Sequence, residues 1–555
     1  MNYLIDYSKR EPFYWLNEAS VLYLERGYLL SDTSPKTRIR NIADNAEQTL
    51  NIPGFADKFY DYISKGYYSL SSPVWSNFGL DRGLPISCFG SYVGDSIEEI
   101  MDTTAEIGVM SKIGGGTSAY FGHVRPRGSD ITNNGKSNGS FSFLPLLNTT
   151  VDVVSQGTSR KGQCAVYQDI EHPDVLEWLD IHTEGNPIQL MFYGLCIGRQ
   201  WFKEMKEGDV EKRIIWAKVL QRKSETGIPY LFFKDNVNDN KPEVYKNEEI
   251  YASNLCTEIM LPSNEQESFV CCLSSMNLLH YEEWKDTDAV QILTMFLDAV
   301  LTEFIRKGKG MKHLEKAVRF AENHRAVGVG ALGWHSYLQN NMIEFESYEA
   351  MMKNAEIFKF MEAESLKASK KLFQLFGPPL KYPDLDRRNT CTLSIAPTKS
   401  SSFILDQVSP SVELYKSNYY IKDLAKLKEV FKNPFLKALL VKKEKNTLEV
   451  WDSILSKDGS IQHLDFLDDK EKNVFKTFSQ VSQLAIIQQA AQRQKFIDQG
   501  QSINIMIHPD TPLKDINALY IEAEELGLKS LYYQINLSAA QELNRNLLEC
   551  KSCES

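Results

Sequence analysis

Positive charge is in deficit along this chain: 62 Lys and Arg stand against 73 Asp and Glu, a net charge of −11. Binding to a nucleic-acid polymer is dominated by phosphate neutralisation, so this balance excludes a basic face that wraps DNA or RNA. Any phosphate site must be local. Also missing is an uninterrupted run of about 18 apolar residues, the length a membrane helix needs, and the first ten residues mix charges where a signal peptide would be apolar. The expectation is a cytoplasmic protein with no membrane partner. Of nine cysteines only Cys550 and Cys553 form a C-x-x-C pair, and no second pair or histidine cluster completes a four-ligand zinc site. No metal is expected on this chain. Cytosolic thiols are mostly reduced, so a cysteine pair here is read as redox-active rather than as a structural disulfide.

What is present is an ordinary globular composition, 43% hydrophobic and 24% charged over 555 residues. That length fits several domains or one large barrel with excursions. Residues 1–70 read as a helical N-terminal region, with Gly27 and Pro53 as breakers. Residues 71–540 read as an α/β domain, with helices at Ile97 to Ile113 and Leu144 to Ser155 and a mainly helical excursion at about 285–385. Extended segments return at Thr390 to Ile395 and Ser530 to Ile535. The charged stretches Lys428 to Asn446 and Ser456 to Lys472 read as solvated helices and loops, and residues 541–555 as a polar, mobile tail.

Chemistry concentrates at Asn254-Leu255-Cys256-Thr257-Glu258. Alternation along an extended segment would turn the amide, thiol and carboxylate to one side. A thiol can exchange a hydrogen atom or an electron, a carboxylate can take a proton and an amide can orient a hydroxyl, so the trio suits radical or redox chemistry on a polyol. A cysteine between Leu and Thr is also a common buried hydrophobe, so the case needs support from elsewhere.

That support comes from other thiols. Cys550 and Cys553 sit on a tail that spans about 45 Å when extended, long enough to shuttle between an interior site and solvent. An internal dithiol would receive those electrons. Cys88, in Pro85 to Phe89, and Cys271, in Phe269 to Leu273, lie in strand-like runs that could be neighbours in one sheet. Cys272 competes with Cys271, because adjacent strand residues face opposite ways.

Taken in order, Cys88, Asn254 to Glu258, Val270-Cys-Cys-Leu-Ser-Ser-Met-Asn-Leu278, Leu531-Tyr-Tyr-Gln534 and the terminal cysteine pair resemble the large, catalytic subunit of class I ribonucleotide reductase. The resemblance runs from about Ser71 to the end. It implies a ten-stranded α/β barrel with a finger loop through its centre, reducing ribonucleoside diphosphates to 2′-deoxyribonucleoside diphosphates. Cys256 would carry the thiyl radical, Glu258 would act as the base and Asn254 would help hold the substrate hydroxyls. Cys88 and Cys271 would supply the electrons, and Cys550 and Cys553 would restore them from thioredoxin or glutaredoxin. Tyr532 and Tyr533 would relay a radical from a separate small subunit that holds the radical cofactor, with none bound by this chain itself.

The resemblance also implies a substrate diphosphate loop at Pro397, Thr398, Lys399, Ser400 and Ser401, assisted by Ser72 and Ser87. For dNTP or ATP specificity effectors it points to Asp95, Ser96, Arg125 and Arg160, and it implies a homodimer. The N-terminal ATP-cone of many relatives is expected to be missing, since only about seventy residues precede Ser71 and show no cone motif.

Two rival readings carry less. Val327-Gly328-Val-Gly330-Ala-Leu-Gly333 matches G-x-G-x-x-G, but the preceding residues read as a charged helix rather than a strand, and no acidic residue stands at a ribose-binding position about 20 residues on. These glycines are expected to permit close packing. A non-catalytic scaffold is disfavoured by the intact set of five cysteines, one glutamate and two tyrosines.

Overall fold

The computed structural model describes residues 3–30, 32–154, 162–424 and 427–536. Five short strands, Cys88–Tyr92, Gly116–Tyr120, Gln163–Asp169, Phe192–Ile197 and Tyr230–Phe233, pair in that order, all parallel. Their side chains are buried almost without alternation, as expected for a parallel sheet covered on both faces. Two of the intervening helices, Ile97–Lys112 and Val210–Thr226, begin at a side chain that accepts a free first-turn amide. Ser96, for example, caps Ile97–Lys112 by accepting from Glu99 N.

A second parallel set completes the circle. Phe269–Asn277 pairs with Val327–Leu332, Val329 bridges Leu393, Ile395 bridges Gln501, and Ile505–Ile507 pairs with Gln534–Asn536. The two sets meet antiparallel at both seams, Cys88–Gly90 against Phe269–Cys271 and Ser530–Leu531 against Leu231–Phe232. Ten extended segments therefore close a barrel, and the one near residue 393 is held to both neighbours by backbone hydrogen bonds, among them Val329 N to Thr392 O at 2.7 Å and Ile395 N to Gly500 O at 3.1 Å.

The N-terminal helices Glu18–Gly27, Pro35–Leu50 and Phe55–Ser64 pack beside the barrel. Arg38, 2% exposed, donates to the carbonyls of Val74, Trp75 and Phe78 and so fastens the second of them to the short helix Ser72–Asn77. The excursion is helical at Ala289–Gly308, Glu315–His324, Trp334–Asn340 and Tyr348–Phe376. Between them runs the barrel strand Val327–Leu332, where the G-x-G-x-x-G pattern falls.

One expectation fails here. Leu427–Lys432 is not a solvated helix or loop but a strand paired with Tyr419–Leu424. Its buried Phe431 stacks on Tyr420, so one aromatic anchors a segment whose charge count suggested solvent. The glycines of Val327–Leu332 do serve close packing. A Cβ on Gly328 would lie 2.5 Å from Leu273 Cδ2, 2.9 Å from Ser394 Cβ and 3.4 Å from Cys271 Sγ.

Gly328→Val should therefore cost about 1–3 kcal/mol or more through overpacking. Urea unfolding with an unchanged midpoint would show that this seam tolerates a side chain.

Candidate active site

Residues 246–268 link the first half-barrel to the strand Phe269–Asn277 as a finger, buried from Ala252 to Ser263 apart from half-buried Cys256. The walls hold this finger by hydroxyls that come from different strands. Tyr167 donates to Asn254 O at 2.7 Å, Ser394 to Glu258 O at 2.8 Å and Ser530 to Thr257 O at 2.8 Å, while Ser502 donates to Cys256 O. Gly500 N donates to Glu258 O at 2.8 Å, a close backbone approach at which a Cβ would lie 3.1 Å from the same carbonyl oxygen. Each buried hydrogen bond contributes about 1 kcal/mol net, but each carbonyl left bare would cost about 1–3 kcal/mol, so the tethers act together to fix the loop.

The finger tip is not the extended segment that alternation suggested. Asn254 Oδ1 accepts from both Glu258 N and Ile259 N at 3.0 Å, and Thr257 takes a left-handed φ of +67°. The side-chain amide substitutes for a backbone partner and bends the chain into a turn. Convergence arises all the same. Asn254 Nδ2 donates to Glu258 Oε1 at 2.9 Å and to Cys88 Sγ at 3.6 Å. Cys256, half-buried, sits at the crest of the turn.

Glu258 is 1% exposed. Burial pushes its carboxyl up to about 7, against the opposing hydrogen bonds from Asn254, its own backbone amide and Ser502. A carboxyl poised there can take or return a proton near neutrality.

Register separates Cys271 from Cys272. Cys88 lies directly opposite Cys271 across the antiparallel seam, and opposite residues share a face. Cys272 points the other way and donates to Leu297 O at 3.2 Å. Cys88 and Cys271 are not joined by a disulfide in this structure. Burial raises the Cys271 thiol well above its ordinary range.

Tyr532 and Tyr533 join the cluster from the opposite wall. Tyr532 donates to Cys256 Sγ at 3.4 Å, and the two tyrosine rings lie 4.2 Å apart between centroids. Tyr230 extends the group, donating its hydroxyl to Tyr533 at 2.9 Å with its ring 4.8 Å from that of Tyr532. Lys223, buried and pulled down to about 7 by desolvation, donates to Tyr532 O at 3.3 Å.

The proposed phosphate loop lies beside this centre. Pro397, Thr398, Lys399, Ser400 and Ser401 are half-buried, and Thr398 has a φ of +49° at the start of Lys399–Ile404. Tyr23 donates to Ser400 at 3.1 Å and Ser72 donates to Tyr28 at 3.3 Å, so two N-terminal tyrosines join both serine positions. Ser87 adjoins Cys88, whose thiol donates to its hydroxyl at 3.6 Å.

Asp95, Ser96 and Arg125 form a separate group beyond the other end of the strand Cys88–Tyr92. Asp95 accepts from Arg125 Nε and from its backbone N, both at 2.8 Å, and Ser96 is occupied as a helix cap. Arg160, Cys550 and Cys553 lie outside the described residues.

Tyr230, Tyr167, Gln499 and the tethering serines were not singled out from the sequence. The polar run Asp498-Gln499-Gly500-Gln501-Ser502 held a signal, since Gln499, Gln501 and Ser502 are all at most 2% exposed. Buried polar groups demand partners: Ser502 finds the finger, Gln499 the Cys271 sulfur, and Gln501 the residues Ala490, Arg493 and Gln494 of the helix before it.

Comparison with known proteins places this arrangement. The family model described as "Ribonucleotide reductase, barrel domain" matches residues 86–212, 201–387 and 384–534, and "Ribonucleotide reductase, all-alpha domain" matches residues 14–83. The chain is 34% identical over 503 residues to a putative ribonucleoside-diphosphate reductase large subunit of Frog virus 3, covering 87% of this chain and 88% of that one. A large subunit from Invertebrate iridescent virus 3 is 31% identical, with 92% of each chain covered. Among solved structures, the Actinobacillus ureae class Id ribonucleotide reductase alpha subunit superposes with a TM-score of 0.91 at 63% identity, over 98% of this chain and 100% of that one. Both domain models and nearly full-length likeness agree with the convergent thiol, carboxylate and tyrosine site: the chain belongs to the ribonucleotide reductase large-subunit family.

Proposed function

We propose that this chain reduces ribonucleoside diphosphates to 2′-deoxyribonucleoside diphosphates, with Cys256 as the hydrogen-abstracting thiyl. The observation that carries the proposal is the contact of Cys256 with Tyr532 on one side and its place on the Asn254–Glu258 turn on the other. A radical arriving from a separate small subunit would pass through Tyr533 and Tyr532, and Cys256 would take the hydrogen at ribose C3′. Glu258 accepts the 3′-hydroxyl proton while Asn254 orients the hydroxyls. Cys88 and Cys271 then provide two hydrogens as their sulfurs join. One leaves with the 2′-hydroxyl as water and the other replaces it on carbon. The hydrogen first taken by Cys256 returns to C3′.

Pro397, Thr398, Lys399, Ser400 and Ser401, with Ser72 and Ser87, would hold the diphosphate through hydroxyls, backbone amides and the lysine ammonium. Asp95, Ser96, Arg125 and Arg160 would receive a dNTP or ATP effector, and the working unit would be a homodimer. Cys550 and Cys553 would regenerate the dithiol and pass the oxidation to thioredoxin or glutaredoxin. Among the described residues no helix is long and apolar enough to cross a membrane.

Cys256→Ser should lower deoxynucleotide formation by on the order of 10³-fold or more, because a serine hydroxyl does not form the hydrogen-abstracting radical. The assay combines CDP, effector, dithiothreitol and the small subunit, and retained turnover would defeat the radical mechanism.

Acid conditions test the base. With the Glu258 carboxyl near 7, the reactive carboxylate gains population as pH rises, so turnover should climb through neutrality and then level off. Glu258→Gln should lose that limb along with most of its rate, and an unchanged pH profile in the variant would assign the proton to another group.

The tail separates by reductant. Cys550→Ser should stop turnover driven by thioredoxin while leaving turnover with dithiothreitol within about twofold, the loss falling on disulfide exchange alone. Equal activity of the variant with both reductants would remove the shuttle.

A further inference from the structure

Beside Cys271, between its sulfur and the strand Val327–Leu332, lies a side chain that the proposed chemistry does not use. Gln499 is wholly buried. Its Nε2 donates to Cys271 Sγ at 3.7 Å and to Val327 O at 3.1 Å, and its backbone N donates to Leu393 O at 3.3 Å. Its Oε1 is buried without a hydrogen-bond partner. Leaving a carbonyl bare costs about 1–3 kcal/mol, so packing alone would favour an apolar side chain of the same length.

The two thiols differ in their surroundings. Cys88, 8% exposed, meets Asn254 and Ser87 on the finger side. Cys271, fully buried, has an amide N–H aimed at its sulfur from Gln499, while its own thiol donates to Cys272 O at 3.8 Å. Gly328 leaves the space that keeps this sulfur close to its strand neighbours. We infer that Gln499 is a positioning residue for the dithiol, its amide holding the Cys271 sulfur, and stabilising its thiolate, in the orientation from which the Cys88–Cys271 bond forms. The hydrogen bond also opposes the upward shift that burial imposes on this thiol. The inference rests on Cys88 and Cys271 being the reductant. In the balanced step, two thiols lose two protons and two electrons, one S–S bond forms, and the ribose exchanges its 2′-hydroxyl for hydrogen with release of water.

The test is a single turnover by pre-reduced full-length chain with its small subunit, CDP and effector, and no external reductant. Deoxynucleotide and the Cys88–Cys271 peptide disulfide are quantified over time. Gln499→Leu, close in volume but without a donor, should slow disulfide formation about tenfold or more with the KM for CDP unchanged. Measured against the parent at each pH, Gln499→Glu should keep pace at acid pH, where its protonated carboxyl can donate, and fall behind as pH rises. A wild-type disulfide rate in Gln499→Leu would overturn the inference. So would a loss of rate matched by an equal loss of CDP affinity, which would reduce Gln499 to packing. Should Gln499→Leu fail to fold, the pH profile of Gln499→Glu decides, and a profile parallel to the parent overturns it. Cys271→Ser is the separate control: normal turnover there would refute the dithiol reading itself.

Discussion

The site depends on a loop held inside a barrel by its own carbonyls. Irregular backbone in a dry interior exposes carbonyl groups that neither helix nor sheet satisfies. Tyr167, Ser394, Ser502 and Ser530 provide those partners from several strands, and Gly500 adds a backbone amide. Because the tethers come from both half-barrels, the position of Cys256 is tied to the closure of the barrel. The wall segments near Leu393 and Gln501, joined to one another by backbone hydrogen bonds, are also where the tethers Ser394, Gly500 and Ser502 lie. Finger and wall stabilise one another.

This constraint explains how groups distant in sequence form one centre. Asn254 binds Glu258 and reaches Cys88, so the finger aligns the carboxyl with the seam. Antiparallel register then sets Cys271 opposite Cys88. The following element, Ser530–Leu531, completes the other seam and leads directly into Tyr532 and Tyr533. The two places where half-barrels meet antiparallel are therefore the places where the dithiol and the tyrosine pair stand.

Much of this was legible in the sequence, with limits that have physical causes. Short apolar runs around Cys88 and Cys271 announced strands, and their pairing separated Cys271 from Cys272 only once register was known. That information is long-range and does not reside in either run. The Asn254–Glu258 segment was misread as extended because periodicity does not register a side chain that bonds its own backbone. Gln499 and Tyr230 stayed hidden because a buried polar residue and a strand tyrosine carry no periodic signal; they matter only for what stands opposite. Leu427–Lys432 looked solvated because the count of charges outweighed one buried Phe431.

Burial also determines which chemistry the centre can run. A dry interior penalises charged forms, raising the Cys271 thiol and the Tyr230 and Tyr167 phenols well above their ordinary ranges. Groups that stay protonated cannot serve as standing ions, but they can pass hydrogen atoms without creating net charge. Glu258 is the exception, since burial brings its carboxyl only to about 7, within reach of proton exchange. The same environment thus favours atom transfer among thiols and phenols while reserving one carboxyl for the proton. If Cys88 and Cys271 act as the proposed reductant, the cost falls on that pair, since forming a Cys271 thiolate is what burial resists. Each sulfur has an amide donor beside it, Asn254 at Cys88 and Gln499 at Cys271, and the hydrogen bond from Gln499 is the one that works against the effect of burial on the Cys271 thiol.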